Sequence, residues 1–424
     1  MIDSILIFED DSHHLLFPLT YTRPVHDLLC GILTLGEKIE KIFSDVPFTL
    51  HTREYLAELV RRHDPGTQVN KFCDNTQSCL LVNGSVIVDN NFRSQIKLNG
   101  ADTIYVNGDK LIAALISREN LSKVKSTLNK PITLSLFPEV KKVEIHVKYV
   151  TYPWDLVNNN GEQIVADFGL LVNRNDEMIR GKVYENVSMV NKENIFIDEN
   201  AIIKPGVVLD AEEGPIYIGK GVKVFPNAVI EGPCYIGDKS QIKIGAKIYE
   251  NTSIGPVCKV GGEVEESIIH SYSNKQHDGF LGHAYLGCWI NLGSNTNNSD
   301  LKNNYGNVKV FINDEQVDSG SMFVGLIMGD HSKTGVNTMF NTGTVVGISC
   351  NVYGSGFPEK YLPSFSWGGT DSITTYDLNK SMDVAKRVMA RRNIDFANAD
   401  EKVFHKVFEL TKNERLKRNM TNQK

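Results

Sequence analysis

Long apolar runs, surplus positive charge and paired cysteine motifs are all missing from this sequence. No run approaches the ~18 apolar residues of a membrane-spanning helix, and 45 basic against 51 acidic residues give a formal net charge of −6. A chain with net negative charge is not expected to bind nucleic acid in general. The seven cysteines are odd in number and contain no C-x-x-C pair, which favours free thiols over a disulfide framework or a zinc ribbon.

The opening segment, MIDSILIFEDD, has early acidic residues and no basic stretch. It therefore does not have the pattern of a secretory signal. Together with free thiols, this predicts a cytoplasmic protein that binds neither membranes nor nucleic acid. Apolar residues make up 41% of the chain and charged residues 23%, as in ordinary globular proteins, and the length suits two domains.

Three regions differ in their patterning. Residues 1–180 alternate short apolar strands, such as Ile5–Phe8, with helical stretches, which predicts an α/β domain. Residues 181–362 are repetitive. Residues 363–424 begin with the turn-rich PSFSWGG and continue with apolar residues at helical spacing, which predicts a C-terminal helical extension.

The repetitive region has a period of six residues. Aliphatic residues occupy every sixth position from Ile218 to Val260, and the spacing returns between Met328 and Val352. This period is typical of a solenoid in which short flat strands meet at tight corners. The pattern resembles left-handed parallel β-helices of the hexapeptide-repeat type, and roughly eighteen repeats predict about six triangular coils.

Two segments, 261–285 and 299–324, are too polar and irregular to continue the period. We expect both to leave the β-helix as loops. Loops on a rigid scaffold often carry function, although tolerated insertions would give the same pattern.

The first of these segments leads into a pattern with a known counterpart. It contains Lys275, His277, Phe280–Leu281–Gly282 and Asn291–Leu292–Gly293. This order resembles the acetyltransferase half of the bifunctional N-acetylglucosamine-1-phosphate uridyltransferase/glucosamine-1-phosphate acetyltransferase family. It resembles still more closely a bacterial branch of that family described as sugar nucleotidyltransferases.

The resemblance implies acyl transfer from acyl-coenzyme A, such as acetyl-coenzyme A, to a sugar amine. His277 would be the general base and Asn291 would orient it or the sugar, while Lys275, Phe280 and Asp300 would contact the substrate. The resemblance also implies a homotrimer with each site between neighbouring subunits.

Some residues depart from the family pattern. Phe280 stands where the family has a tyrosine, and Glu265–Glu266 stand where it has a lysine that grips phosphate. A carboxylate there would repel a sugar phosphate, so the identity of the acceptor stays open.

The histidines also allow a metal-site interpretation. Gamma-type carbonic anhydrases share this β-helix and bind a metal through three histidines, and His270, His277 and His283 are available. Zinc needs three imidazoles that converge, whereas the spacing from 277 to 283 predicts two histidines one face apart. We therefore predict no metal ligands.

A polar stretch inside the repeat, IMGDHSKTGVNTMFNTGTVVG (327–347), holds two further candidates. His331 and Lys333 would line the cleft, with Lys333 as a point charge for phosphates of the substrate or coenzyme. The alternative is that stacked Asn and Thr residues form a structural ladder.

The N-terminal region carries a second resemblance, through Pro18-Leu19-Thr20 and Arg23-Pro24, to the start of sugar-1-phosphate nucleotidyltransferases. It implies that a nucleoside triphosphate or nucleotide sugar contacts five residues: Thr20, Arg23, Gly84, Asp109 and Asp155. The family's glycine-rich loop is replaced by EDDSHH (9–14), and Ser85 replaces its magnesium-binding aspartate. Mg²⁺ is expected only if nucleotidyl transfer is active.

Two hypotheses follow. The first is a sugar-phosphate transferase of nucleotide-sugar metabolism, with a nucleotidyltransferase domain that is intact or degenerate and an acyltransferase domain. The second is a non-catalytic trimer that binds a nucleotide sugar or acts as a scaffold.

Overall fold

The computed structural model describes residues 2–72, 75–173 and 175–421. Within these ranges no helix is both long enough and apolar enough to cross a membrane. Six of the seven cysteines are free thiols, and Cys73 lies outside the described residues.

The N-terminal domain is built on one mixed sheet of seven strands. Their spatial order is Gln68–Val69, Phe48–Leu50, Ser4–Phe8, Ser78–Asn83, Lys110–Ser117, Thr103–Asn107 and Lys141–Glu144. The α-helices of this region are Leu35–Ile42, Glu54–His63, Asn90–Gln95, Arg118–Ser126 and Pro153–Leu171. Short 3-10 helices occupy Asp11–Leu16, Val25–Asp27 and Leu134–Leu136.

A β-helix with three faces follows. Its first face is a nine-stranded parallel sheet: Ile195–Ile197, Ile216–Ile218, Cys234–Ile236, Thr252–Ile254, Ile268–Ser271, Tyr285–Cys288, Ile327–Met328, Val345–Val346 and Tyr361–Leu362. A 3-10 helix, Lys192–Asn194, precedes it.

The second and third faces take the strands between those of the first. The second face comprises Lys182–Val183, Ile202–Ile203, Lys223–Val224, Gln241–Ile242, Lys259–Val260 and Asn274–Lys275, then Lys333–Thr334, Asn351–Val352, Ser366–Gly368 and Ile373–Thr375. The third face comprises Ser188–Val190, Val208–Asp210, Val229–Glu231, Lys247–Ile248, Glu263–Glu265 and Phe280–Gly282, then Asn297–Asn298 and Met339–Phe340. The predicted fold class, an α/β domain followed by a hexapeptide β-helix and C-terminal helices, is confirmed.

The expectation that residues 261–285 leave the β-helix was wrong. Val264 pairs with Ile248 before it and with Leu281 after it, and Leu281 is buried in the same stack. Because a strand needs only its inward residue and its backbone to continue the coil, polar outward residues hide the period in the sequence. The nine strands of the first face accordingly exceed the predicted six coils.

The second expected loop, 299–324, does leave the coil. It contains an antiparallel hairpin, Lys309–Ile312 paired with Glu315–Asp318. The inward side chains of this hairpin, Val310 and Ile312, are buried in an apolar cluster shared with the N-terminal domain.

Three C-terminal helices close the structure: Leu378–Ala390, Asn398–Leu410 and Lys412–Lys417. They reach the N-terminal domain through an Arg62–Asp400 ion pair and through Glu414, which accepts hydrogen bonds from the hydroxyls of Tyr21 (3.3 Å) and Tyr361 (2.6 Å). The helices therefore tie the N-terminal domain to the end of the β-helix.

The N-terminal domain also lies directly on the first face. The Ser253 hydroxyl donates to the carbonyl of Gly31 at 2.8 Å, and His270 Nε2 lies 2.8 Å from the carbonyl oxygen of Asp27. Gly161, in the helix Pro153–Leu171, lies where a Cβ atom would be 1.8 Å from Asn251 Oδ1. Such a close approach requires glycine, so one face of the β-helix is covered by the chain itself.

Candidate functional site

His277, the base predicted from the sequence, lies at the corner between the second and third faces. Its side chain is exposed, and no hydrogen bond of its ring is found among the described residues. Asn291 lies on the second face, where its Oδ1 is 3.4 Å from Asn274 Nδ2. Among the residues that the structure describes, His277 therefore has no orienting partner.

Lys275, predicted to contact the substrate, points into the coil instead. It is 2% exposed, and its Nζ donates to the carbonyl oxygens of Gly261 (2.9 Å) and His277 (3.0 Å). Burial lowers the pKa of Lys275 to about 8. A lysine held in this way supports the corner that carries His277 and does not reach a ligand outside the coil.

A different histidine has the surroundings of a base. At the corner between the third and first faces, His283 Nδ1 lies 2.8 Å from Asp300 Oδ2, and both side chains are mostly buried. Because a carboxylate only accepts hydrogen bonds, Nδ1 carries a proton, and in the neutral form of the imidazole Nε2 has the lone pair. The His–Asp pair is the arrangement that orients an imidazole for proton abstraction.

Aromatic side chains frame this pair. The ring of Phe323, from the loop 299–324, stacks on His283 with centroids 4.9 Å apart and planes 20° from parallel. A Cβ atom on Gly282 would lie 2.5 Å from both the Phe280 ring and Asp300 Oδ2. Glycine at 282 therefore allows the ring and the carboxylate to approach each other beside His283.

Glu265 adds a second carboxylate to this corner. The backbone N–H of His283 donates to the Glu265 carbonyl at 3.2 Å, and Glu265 pairs with Gly282 across the third face. Burial, together with Asp300 and the neighbouring glutamates, raises the pKa of Glu265. The corner thus offers negative charge, which favours a cationic or neutral group of a substrate over a phosphate.

The sequence predicted Phe280 and Asp300 as substrate contacts around His277, whereas the structure places both side chains beside His283. The sequence also contains a signal for His283, in the segment Gly282-His283-Ala284-Tyr285-Leu286-Gly287. In this segment a histidine is followed by an aromatic residue and then by Leu-Gly. The same arrangement follows His277. Only the fold shows that Asp300 reaches His283, because a corner and a whole coil separate them in sequence.

The metal-site interpretation receives no support. His270 lies on the first face, His277 and His283 lie at two different corners, and the described part of the chain contains no group of three potential ligands. His277 and His283 are thus one face apart, as their six-residue spacing predicts, whereas zinc needs converging imidazoles.

Lys333 is partly exposed and points outward from the second face, because it is in register with Asn291 and Asn274 and not with the inward Lys275. Its Nζ donates to the carbonyl of His331 at 2.8 Å, and burial lowers its pKa to about 8. His331 is 8% exposed and faces a cavity of about 410 Å³ between the domains, which Arg23 also lines. Two residues predicted for separate sites are therefore neighbours of one cavity.

The crevice where a doubly wound sheet takes nucleotides lies at the carboxyl ends of Ser4–Phe8 and Ser78–Asn83. Here it is filled by the chain's own charges. Glu9 is paired with Arg53, and Asp10 accepts from Asn83 Nδ2 at 2.7 Å. Burial raises the pKa of Glu9, but Arg53, His26 and His13 outweigh it and bring the pKa to about 2.

The predicted nucleotide ligands serve the fold around this crevice. The Thr20 hydroxyl donates to the carbonyl of His13 at 2.8 Å, and the Gly84 N–H donates to that of Phe8 at 2.8 Å. Asp155 caps the helix Pro153–Leu171 by accepting from the backbone N–H of Thr151 and Tyr152. Asp109 lies at an open cleft of about 620 Å³.

Comparison with known proteins identifies relatives of this chain. Residues 5–176 match the family model described as "Sugar nucleotidyl transferase". The "Bifunctional protein GlmU" of Rippkaea orientalis is 27% identical over 205 residues, or 43% of this chain and 40% of that protein. GlmU of Methanocaldococcus jannaschii is 29% identical over 235 residues, covering 55% and 46%.

A "Bifunctional sugar-1-phosphate nucleotidylyltransferase/acetyltransferase" of Sulfurisphaera tokodaii is 28% identical over 173 residues, covering 41% of this chain and 38% of that protein. This chain spans less than half the length of each of these relatives. Among solved structures, "UDP-N-acetylglucosamine acyltransferase from Campylobacter jejuni" matches at 14% identity and TM-score 0.29, over 54% of this chain and 96% of that one. The resemblance to the bifunctional transferase family is confirmed.

Proposed function

We propose that this GlmU-like chain is a transferase of nucleotide-sugar metabolism that moves an acyl group from acyl-coenzyme A to the amine of a sugar. The single observation that carries the proposal is the His283–Asp300 pair at a corner framed by Phe280 and Phe323. It lies in the half of the chain that resembles an acetyltransferase.

The chemistry assigned to His283 is proton removal. Asp300 holds Nδ1–H, so Nε2 takes the proton of the sugar amine as its nitrogen attacks the thioester carbonyl carbon. The C–S bond then breaks, Nε2 passes its proton to the departing sulfur, and coenzyme A leaves as its thiol. Backbone N–H groups at the coil corners supply the donors for the developing oxyanion.

The sugar amine is the group that suits this corner best. Glu265 and Asp300 lie beside His283, and their carboxylates attract an amine and repel a phosphate. An amino sugar that carries its phosphate away from the amine, such as a nucleotide-linked amino sugar, fits better than a small sugar phosphate.

A homotrimer would complete the site. Phe323 and the adjacent Met322 are 38% and 41% exposed next to His283, and exposed apolar side chains at a site are typical of a surface that a partner covers. Light scattering coupled to size exclusion is expected to give about three times the 47.4 kDa chain mass. A monomer at micromolar concentration would count against a shared site.

The test of acyl transfer is thiol release from acetyl-coenzyme A. The protein is assayed with amino-sugar phosphates and with nucleotide-linked amino sugars, and His283→Gln serves as the variant. We expect release with at least one nucleotide-linked amino sugar and at least about 100-fold less in the variant. Absence of release with every acceptor, from folded protein, would contradict the proposal.

For the N-terminal domain we propose that the nucleotidyltransferase fold is degenerate. Nucleotidyl transfer relies on metal and cationic groups around the triphosphate. The carboxylates of the crevice, Glu9 and Asp10, are already paired with Arg53 and Lys110, and the Ser85 hydroxyl donates to Asn83 Oδ1. These residues do not fit a Mg²⁺ site, so no step is assigned to Mg²⁺ here.

Measurement of pyrophosphate release distinguishes a degenerate nucleotidyltransferase domain from an active one. The protein is incubated with each nucleoside triphosphate, a panel of sugar 1-phosphates and Mg²⁺. We expect no pyrophosphate above the background of heat-denatured protein. Release with any pair would overturn the proposed degeneracy and establish nucleotidyl transfer, the function of the matched family.

The free thiols suit the reducing cytoplasm, which we propose as the location.

A further inference from the structure

The cavity between the domains has features that neither acyl nor nucleotidyl transfer uses. It lies between residues 22–34 of the N-terminal domain, the corner joining the first and second faces, and the helix Asn398–Leu410. Its volume is about 410 Å³, which falls within the range of small-molecule sites. His283 lies at another corner and does not line it.

Stacked aromatic rings form one wall. Tyr272 and Trp289 stack with centroids 4.3 Å apart and planes 15° from parallel. Trp289 and His331 follow at 6.0 Å and 15°, and Phe404 meets His331 edge-on at 5.2 Å. Because the rings of three successive coils cover one another's faces, the wall presents their edges to the cavity.

The backbone of this wall is in an unfavourable conformation. Tyr272, Trp289 and His331 have φ values of 53°, 62° and 61°, in the left-handed region that disfavours large side chains. At the corner between the second and third faces, the left-handed positions hold residues such as Asn227 and Asn337. Bulky residues under such strain cluster at functional sites.

Two polar atoms beside the wall have no hydrogen-bond partner among the described residues. They are Nη1 of Arg23 and Nδ1 of His331, and both side chains are more than nine-tenths buried. The other terminal nitrogen of Arg23 forms an ion pair with Asp330. Leaving buried polar groups unpaired costs stability, so a ligand that pairs with them would be favoured.

The charges disfavour a phosphate in this cavity. Arg23 is the cation of the lining, and it is offset by Asp330. Asp27 and Asp400 also line the cavity, and Asp400 is paired with Arg62. The lining therefore suits a planar ring with its own donors and acceptors, with any phosphate left outside.

We propose that this cavity binds the base of a nucleoside or nucleotide. The base packs against the ring edges of Tyr272 and Trp289, and its ring nitrogen or carbonyl accepts from Nη1 of Arg23. This inference does not rest on acyl transfer at His283, so either proposal can fail without the other.

The test is equilibrium binding of adenosine, guanosine, cytidine, uridine and thymidine to the full chain by titration calorimetry. Trp289→Asn removes the ring and places a residue suited to left-handed backbone. Val257→Asn is the matched control, because Val257 has a φ of 62° at the same corner but does not line the cavity. We expect saturable binding of at least one nucleoside.

Binding is expected to weaken about tenfold or more in Trp289→Asn and to stay within twofold in Val257→Asn. If Trp289→Asn does not fold, His331→Asn replaces it with the same expectation. Nucleoside 5′-monophosphates are titrated in parallel, and affinities within about threefold of the nucleosides support a phosphate outside the cavity. Absence of binding by all nucleosides, or unchanged binding in the Asn variants, would overturn the proposal.

Discussion

The α/β domain and the β-helix bury their interiors in different ways. The α/β domain encloses charged pairs, such as Lys38 with Asp167 and Glu9 with Arg53. The β-helix is filled by stacked aliphatic side chains, and its His283–Asp300 pair lies at a corner. The charged pairs of the α/β domain hold its own segments together, whereas the corner pair of the β-helix is the one proposed to act as a base.

The largest expected effect concerns two corner histidines of the β-helix, His283 and His277. Replacing His283 with Ala should lower kcat for thiol release by about 100- to 10,000-fold, because a general base contributes that much. His277→Ala should stay within about twofold, since the exposed ring has no partner that orients it. Steady-state kinetics on both variants measures the difference in kcat. Equal losses in the two variants would contradict the assignment of His283 as the base.

Next in size is the loss of a buried charge pair in the α/β domain. Asp167 is 1% exposed and accepts from Lys38 Nζ and from the N–H groups of Ile32 and Leu33. Asp167→Asn leaves the Lys38 ammonium buried without its counter-ion, which should cost about 3–5 kcal/mol of unfolding free energy. Urea unfolding measures this loss. The control is Lys123→Met, which removes one partner of an exposed ion pair and should change the free energy of unfolding by no more than about 0.5 kcal/mol.

A change of the same order is expected from acid. The pKa of Glu9 falls from 4.5 to about 2 on folding, so the folded state favours the carboxylate. This contribution is fully present above about pH 4.5 and is lost as the pH falls toward 2, by about 3 kcal/mol in total. Unfolding of wild type and Glu9→Gln between pH 3 and 7 measures it, and parallel curves would contradict the assignment.

The smallest effect concerns the charge that the β-helix does bury. Burial lowers the pKa of Lys275 from 10.5 to about 8, so the unfolded chain binds the proton more tightly and stability rises between pH 8 and 10.5. Lys275→Met should change stability at pH 7 by no more than about 1 kcal/mol, because lost hydrogen bonds offset the removed penalty. The Lys275→Met variant should retain acyl transfer. Loss of this activity would instead support Lys275 as a substrate ligand.

Periodicity made the β-helix predictable, because one inward aliphatic residue per face repeats every six positions. The same logic failed at residues 261–285, where Val264 and Leu281 continue the coil but the polar residues between them hide the spacing. The C-terminal helices were predicted from helical spacing. Their attachment to the N-terminal domain through Asp400 and Glu414 was not, since ion pairs across hundreds of residues leave no local pattern.

The sequence by itself determined the kind of fold and supplied the residue types on which the proposed chemistry rests, because both depend on local periodicity and on residue types within one segment. Tertiary structure alone decided which groups meet: Asp300 with His283, and Arg23 with Asp330 beside His331. In a β-helix, stacking brings together residues a whole coil apart, and insertions change that distance along the chain. The partner of a corner histidine therefore follows from the register of the coils rather than from spacing in the sequence.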